Sequence, residues 1–347
     1  MEHIWVIKPT GEITFRRSDL KPLWQKENLT LTQFVTLSRE AIGVSRGGMY
    51  DVKVVAQSQP DQTQRLQQLH NLLIKPIAEV LLTDENDRVI FIPHQELFLI
   101  PFGALQDELG KYLIEKHTIL TAPSIQVLQL THQGRQRGVT RGNDALVVGN
   151  PTMPKVALTI GELPKQLPPL QGAEKEAKAI ASLLNTQALT GSSATKAAIL
   201  PKLPSARIIH LATHGILDNI QGLKSAIALA PTNTDNGLLT AEEILKLKLN
   251  ASLVVLSACN TGSGRITGDG VIGLSRSLFL VGTPSVIVSL WAVPDAPTQE
   301  LMTEFYHQFK LTGDKAQSLR QAMLKMKEKY PDAPRKWAAF TLIGEAE

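Results

Sequence analysis

Four short apolar runs, each set between stretches of helical spacing, constrain what this chain can fold into more than any other feature. They are Ala145–Gly149 (ALVVG), Arg207–Ala212 (RIIHLA), Ser252–Ala258 (SLVVLSA) and Ser285–Trp291 (SVIVSLW). Strands that stay apolar rather than alternating are buried on both faces. When they alternate with helices, the expected product is a mostly parallel sheet with helices on each side. Helical patterns cover Gly172–Leu184, Ala194–Leu200, Ala241–Leu247, Val271–Val281, Thr298–Lys310 and Lys315–Lys329. Thr240 reads as an N-cap, with Glu243 three residues on completing a capping box. Further strands are expected at Ala226–Ala230 and Trp337–Ile343.

The earlier part of the chain has another rhythm. Ile4–Ile7 and Glu12–Arg16 alternate like a hairpin around the turn chemistry of Lys8-Pro9-Thr10-Gly11. Helical spacing follows over Thr32–Ile42 and again over Asp61–Leu82, where Leu66, Leu69, Leu72, Leu73, Ile77, Val80 and Leu81 share a stripe. Pro76 is expected to interrupt that helix. Short strands are expected at Arg88–Ile92 and Tyr112–Leu120, with a proline-bounded stretch, Phe98–Leu105, between them. The polar segment Gln133–Asn143 is the expected boundary between two units, residues 1–140 and 141–347, which suits a chain of 347 residues.

Composition removes several classes. With 43% hydrophobic and 20% charged residues the chain can bury a core. Its longest membrane candidate, Phe279–Val293, is broken by Gly282 and Pro284, so no bilayer span is expected. The amino terminus alternates like a strand and does not read as a signal peptide. Lys and Arg number 36 against 32 Asp and Glu, and they are scattered. The densest basic stretch, Gln133–Arg141, reads as a solvated loop, and nucleic-acid binding is not expected. Cys259 is the single cysteine, which excludes an internal disulfide, a cysteine zinc cage and a CxxC pair. A lone thiol fits a reducing cytoplasm.

In parallel sheets reactive groups gather at the carboxyl ends of the strands. Two strands end suggestively there. One runs into Thr213-His214-Gly215, the other into Cys259-Asn260-Thr261-Gly262. A thiol attacks as its thiolate, and an imidazole can take its proton. Glycine beside each group lets a substrate approach the backbone and its N–H donors. Taken alone, a lone cysteine is more often a small buried apolar residue, and this placement favours the nucleophile. His210 and His214 are four residues apart, but Leu211 and the strand-like setting do not fit a helical HExxH zinc site. No metal is expected, and His210 reads as a packed strand residue. His94, His117 and His132 read as surface or structural residues. The run Gly262, Gly264, Gly268, Gly270 lacks a GxxxxGK[ST] phosphate motif and reads as a substrate-side loop, so no cofactor is expected.

The HLATHG and LSACNTG segments, in that order and on those strands, resemble the CHAT domain family, caspase-like domains of the clan that holds caspases and separases. The separation of 45 positions from His214 to Cys259 lies close to the roughly 50 of caspases. Further matches are Gln68–Ile77, Ile92-Pro93 through Pro101–Leu105, Ala122-Pro123-Ser124, Gly268–Leu274 and Ser289–Val293, so the resemblance covers about residues 60–347.

The resemblance implies a three-layer α/β/α sandwich with a mostly parallel caspase-like sheet, preceded by a smaller and degenerate half. It implies a cysteine endopeptidase acting on a protein partner, with Cys259 as nucleophile and His214 as base. The backbone N–H groups of Gly215 and Cys259 would form the oxyanion hole, with no third triad member named. In separase-like relatives an acidic residue after the "LW" strand favours basic residues before the scissile bond. Asp295 occupies that position here, with Pro294 directly before it; helix capping is its alternative role. Asp269 is the second acidic candidate, and Trp291 a candidate apolar wall. The rival expectation is a signalling or scaffold module that binds partners and cleaves little. CHAT proteins commonly carry tetratricopeptide repeats before this domain, so such a repeat or another regulatory protein is the expected partner.

Overall fold

A computed structural model of the chain describes residues 1–44, 61–82, 84, 87–136, 144–157, 163–218, 222–260, 268–291 and 295–347. For residues 134–136, 258–260, 268–273 and 295 it describes the backbone alone. The predicted hairpin forms β1 (Glu2–Ile7) and β2 (Ile13–Ser18), paired antiparallel with Ile7 opposite Ile13. Gly11 takes the chain round at φ +85°, which glycine adopts at little steric cost. Helix α1 (Lys21–Glu27) follows, then α2 (Leu31–Ala41), which Thr30 and Gln33 close with a capping box. The long helix predicted over Asp61–Leu82 is α3 (Gln62–Leu73), followed by a 3-10 turn over Lys75–Val80. Pro76 lies in that turn, where its missing N–H and its ring preclude a continuous α-helix.

Strand β3 (Arg88–Phe91) agrees with expectation. The strand expected at Tyr112–Leu120 is split into α4 (Leu113–Lys116) and β4 (Thr118–Thr121). The local cause is Glu115, whose carboxylate accepts the Tyr112 N–H at 2.8 Å and stabilises a helical turn that apolar spacing does not announce. The basic stretch read as a loop begins inside α5 (Ile125–Gln136), and the rest of that segment lies outside the described residues.

The second rhythm gives β5 (Asp144–Pro151), a two-residue ladder of β6 (Lys155–Val156) with β7 (Lys165–Gln166), α6 (Gln171–Leu183), β8 (Ala188–Gly191) and α7 (Lys196–Ile199). It continues through β9 (Ala206–Ile216), β10 (Ala226–Ala228), β11 (Leu238–Thr240), α8 (Ala241–Ile244) and β12 (Leu253–Asn260). Last come α9 (Gly268–Leu280), β13 (Ser285–Ser289), α10 (Asp295–Thr312), α11 (Lys315–Lys329) and β14 (Phe340–Gly344). The predicted capping box is present: Thr240 Oγ1 accepts the Glu243 N–H at 3.1 Å, and Glu243 accepts the Thr240 N–H at 2.8 Å.

Among the described residues, ten strands form one sheet, ordered β8, β5, β9, β12, β13, β14, β4, β3, with β10 and β11 joined antiparallel to the carboxyl end of β9. Pairs β8–β5, β5–β9, β9–β12 and β12–β13 are parallel. β14 then runs antiparallel to β13, and β4 and β3 follow its direction. The carboxyl ends of β5, β9, β12 and β13 therefore share one edge, and those of β3 and β4 lie at the opposite one. Val147, Leu253, Val254, Val255 and Ile287 have no measurable exposure. Burying each such side chain contributes about 1.5–3 kcal/mol, which makes this sheet the rigid centre of the molecule. Helix α10 packs against both α6 and α11, with α6 lying on β5 and β9, while α9 contacts β13 and α8.

Candidate functional site

Strand register decides what meets at the shared edge. β9 and β12 pair so that His214 lies opposite Cys259 and Gly215 opposite Asn260. Parallel neighbours lie about 4.8 Å apart, so two residues separated by 45 positions in sequence become adjacent backbone positions. β12 runs two residues beyond its predicted end and so includes Cys259. The Cys259 side chain and residues 261–267 lie outside the described residues, including Gly262 and Gly264 of the expected glycine loop; Gly268 and Gly270 open α9.

The imidazole of His214 is buried, at 1% exposure, and its Nε2 lies 2.8 Å from the carbonyl oxygen of Pro168. A carbonyl only accepts, so Nε2 carries the proton and donates it. In the neutral ring Nδ1 is then the basic nitrogen. Pro168 precedes Pro169 and stands just before α6. Proline fixes its own φ and keeps the residue before it extended, so this carbonyl is held by a stiff two-proline strap. The acceptor was not found in the sequence because a backbone carbonyl has no residue-type signature. The strap's own signal, Pro-Pro before a helix start, is visible only in retrospect.

His210 takes no part at the edge. Its Nε2 lies 3.0 Å from Glu176 Oε1 and its Nδ1 3.2 Å from the Tyr306 hydroxyl. All three side chains are at most 2% exposed, and they tie α6 and α10 to β9 beneath His214. Burial, and secondarily the charge of Glu176, hold the Tyr306 phenol well above its ordinary pKa, so its hydroxyl keeps its proton. Neither Glu176 nor Tyr306 stood out in the sequence, because both lie on helices far from any motif.

Gly215 lies between two neighbours, opposite Ile227 of β10 and Asn260 of β12. Trp291 follows β13 and is 1% exposed, with its indole N–H donating to the Arg335 carbonyl at 3.0 Å. The Arg39 guanidinium, on α2, stands 5.6 Å from the centre of that ring. Arg39 donates at 2.7 Å to the carbonyls of both Leu99 and Leu290. Its burial lowers its pKa to about 10, which leaves it charged at neutral pH. It therefore ties an amino-terminal helix to the end of β13. Asp295 is the first residue of α10, three positions before the predicted helix start, and Asp269 is the second residue of α9. Their side chains lie outside the described residues.

Among the described residues, no group of three or more His, Cys, Asp or Glu side chains could hold a metal ion. None of the described helices is long and apolar enough to cross a membrane.

A family model described as CHAT domain matches residues 63–345. Tetratricopeptide repeat protein 28 of Homo sapiens is 30% identical across 80% of this chain, and that of Mus musculus 29% across 80%. The chain spans 13% of the length of these curated relatives. Among solved structures, the Arg-specific cysteine proteinase gingipain R aligns with 93% of this chain and 75% of its own at TM-score 0.47 and 13% identity. The Saccharomyces cerevisiae separase of a separase–securin complex aligns with 71% of this chain and 14% of its own at TM-score 0.44 and 15% identity.

Proposed function

The chain belongs to the CHAT family, and from that premise we propose that it is a cysteine endopeptidase that cleaves a protein partner. The observation that carries this reading is the register of β9 and β12, which sets the single cysteine beside a buried histidine whose Nε2 is held by the Pro168 carbonyl. The Cys259 thiol gives its proton to Nδ1 of His214, and the thiolate attacks the peptide carbonyl carbon. The C=O electron pair moves to oxygen, which accepts hydrogen bonds from the N–H groups of Gly215 and Cys259. When the C–N bond breaks, Nδ1–H protonates the leaving amine. Water, deprotonated by the same nitrogen, then hydrolyses the thioester and restores the thiol. Throughout, the Pro168 carbonyl keeps its hydrogen bond to Nε2–H and stabilises the imidazolium.

Preference for Arg or Lys before the scissile bond belongs to this proposal, with Asp295 as the pairing carboxylate. Asp269 and Trp291 are the remaining specificity candidates. The protein substrate, and a tetratricopeptide-repeat or other regulatory partner, belong to it as well, as does a cytoplasmic setting.

Iodoacetamide tests the centre of the reading, because only Cys259 can be alkylated as a thiol. At pH 7 its rate is expected to exceed that of free cysteine about tenfold, and His214→Ala to remove the excess. Equal rates in wild type and His214→Ala overturn the peptidase reading and leave a binding module. A peptide library tests specificity separately: cleavage that ignores the residue before the scissile bond removes the role of Asp295 alone.

A further inference from the structure

We propose that Asn150 is a positioning residue for His214, acting through the two-proline strap. This rests on the reading of Cys259 and His214 as nucleophile and base. Asn150 is an irregular residue in a regular strand. The β5–β8 register slips between Gly149 and Pro151, so Asn150 is the extra residue of a bulge, and its φ is +44°. Bulges at sheet ends re-aim a side chain that would otherwise follow the strand's alternation. A left-handed residue other than glycine invites a functional explanation.

Both ends of the Asn150 amide are engaged, with matched polarity. Oδ1 accepts the Leu170 N–H at 2.7 Å, and Nδ2 donates to Glu174 Oε2 at 3.3 Å. Leu170 is the N-cap of α6, and α6 has no side-chain cap of its own. Asn150 thus supplies from a neighbouring strand the anchoring that Ser, Thr or Asp supplies locally at most helix starts.

The consequence reaches the histidine within three residues. Pro168 provides the carbonyl that accepts from His214, Pro169 has its φ locked, and Leu170 is held by Asn150. The strap is therefore pinned downstream by Asn150. Upstream it is pinned by Leu167, whose N–H donates to the Pro154 carbonyl at 3.1 Å, and by Gln166, whose side-chain amide donates to the Met153 carbonyl. Releasing the downstream end lets the Pro168 carbonyl drift. A shift of about 1 Å takes a 2.8 Å contact outside hydrogen-bond range. The imidazolium then loses the Pro168 hydrogen bond, and the thiolate on Cys259 loses part of the counter-charge that sustains it.

Asn150→Gly is the cleanest perturbation, since glycine suits φ +44° and only the side chain is lost. The rescue is Asn150→Asp combined with Glu174→Gln, which keeps an acceptor for Leu170 and reverses donor and acceptor at position 174. The readout is the pH profile of iodoacetamide alkylation at Cys259, with the melting temperature measured in parallel. Asn150→Gly is expected to slow alkylation at pH 7 about tenfold and move the profile toward that of free cysteine. The double variant should return to within about twofold of wild type. If His214→Ala slows alkylation and Asn150→Gly does not, the positioning role is wrong and the catalytic pair stands. A lowered melting temperature with an unchanged profile marks Asn150 as merely structural and overturns the proposal. If His214→Ala itself has no effect, the underlying reading fails, and this inference with it.

Discussion

Gly149→Ala is expected to disturb the site without touching any residue that reacts. Gly149 lies in β5 where α6 crosses it, and an added Cβ would stand 2.3 Å from the Ala177 Cβ and 2.5 Å from the Ala173 carbonyl oxygen. Ordinary contact begins near 3.4 Å, so the helix must retreat by about 1 Å. Neither obstacle can rotate aside, because one is a methyl on a helix and the other is main chain. Overpacking of this kind costs about 1–3 kcal/mol, and the rigid neighbours place it at the upper end. The reduced freedom of the unfolded chain returns about 0.4–1 kcal/mol, for a net loss of about 2 kcal/mol. With an unfolding entropy of about 2.1 cal/mol/K per residue, a chain of 347 residues loses about 3 °C in melting temperature. Gly222→Ala is the control: nothing described lies within 4 Å of the place its new methyl would take, and no change beyond about 0.5 kcal/mol is expected. The same retreat carries the start of α6 away from β9, so alkylation of Cys259 should slow as well. Calorimetry and iodoacetamide kinetics on the two variants decide the matter. If Gly149→Ala matches Gly222→Ala in both, the close approach of α6 to β5 does not position the site.

Three other outcomes follow from the same structure. Tyr306→Phe removes the hydroxyl 3.2 Å from His210 Nδ1 and leaves a buried ring nitrogen without its partner, so chemical denaturation should show a loss of about 1–3 kcal/mol; no loss would mean the Glu176–His210–Tyr306 network does not hold α10 to the sheet. Pro169→Ala loosens the strap, and is expected to cost about 0.4–1 kcal/mol in stability while slowing Cys259 alkylation; a wild-type alkylation rate would show that the strap's stiffness is irrelevant to His214. Burial is the first cause that lowers the pKa of both His70 and His117, whose buried Nδ1 atoms have no hydrogen-bond partner among the described residues. The folded state therefore favours their neutral form: their contribution is fully present above about pH 6.5 and declines as pH falls below it. His117→Gln should flatten the fall in urea midpoint between about pH 7.5 and pH 5, and an unchanged slope would assign that fall to other groups.

The strands β5, β9, β12 and β13 were legible because short unbroken runs of Val, Leu and Ile between helical stretches suit a sheet covered on both faces, whereas β6, β7, β8 and β11 carry no such run. Thr240 and Glu243 likewise announce their own hydrogen bonds. The turn at Tyr112–Lys116 was not legible, since one carboxylate reaching back to one N–H outweighs the apolar spacing of the segment. Nor was the joining of β3 and β4 to the same sheet, which depends on β14 turning antiparallel and presenting a free edge to β4.

His214 and Cys259 were readable as reactive types beside glycines at strand ends, because side-chain chemistry and local backbone freedom are written residue by residue. Their adjacency was not written there. It is set by the register of β9 against β12, which depends on packing across the whole sheet. The groups that hold the histidine are a backbone carbonyl at Pro168 and an amide at Asn150 on a bulged strand. A carbonyl is common to every residue and a bulge to no particular sequence, so only the folded chain could select these two and aim them at one imidazole.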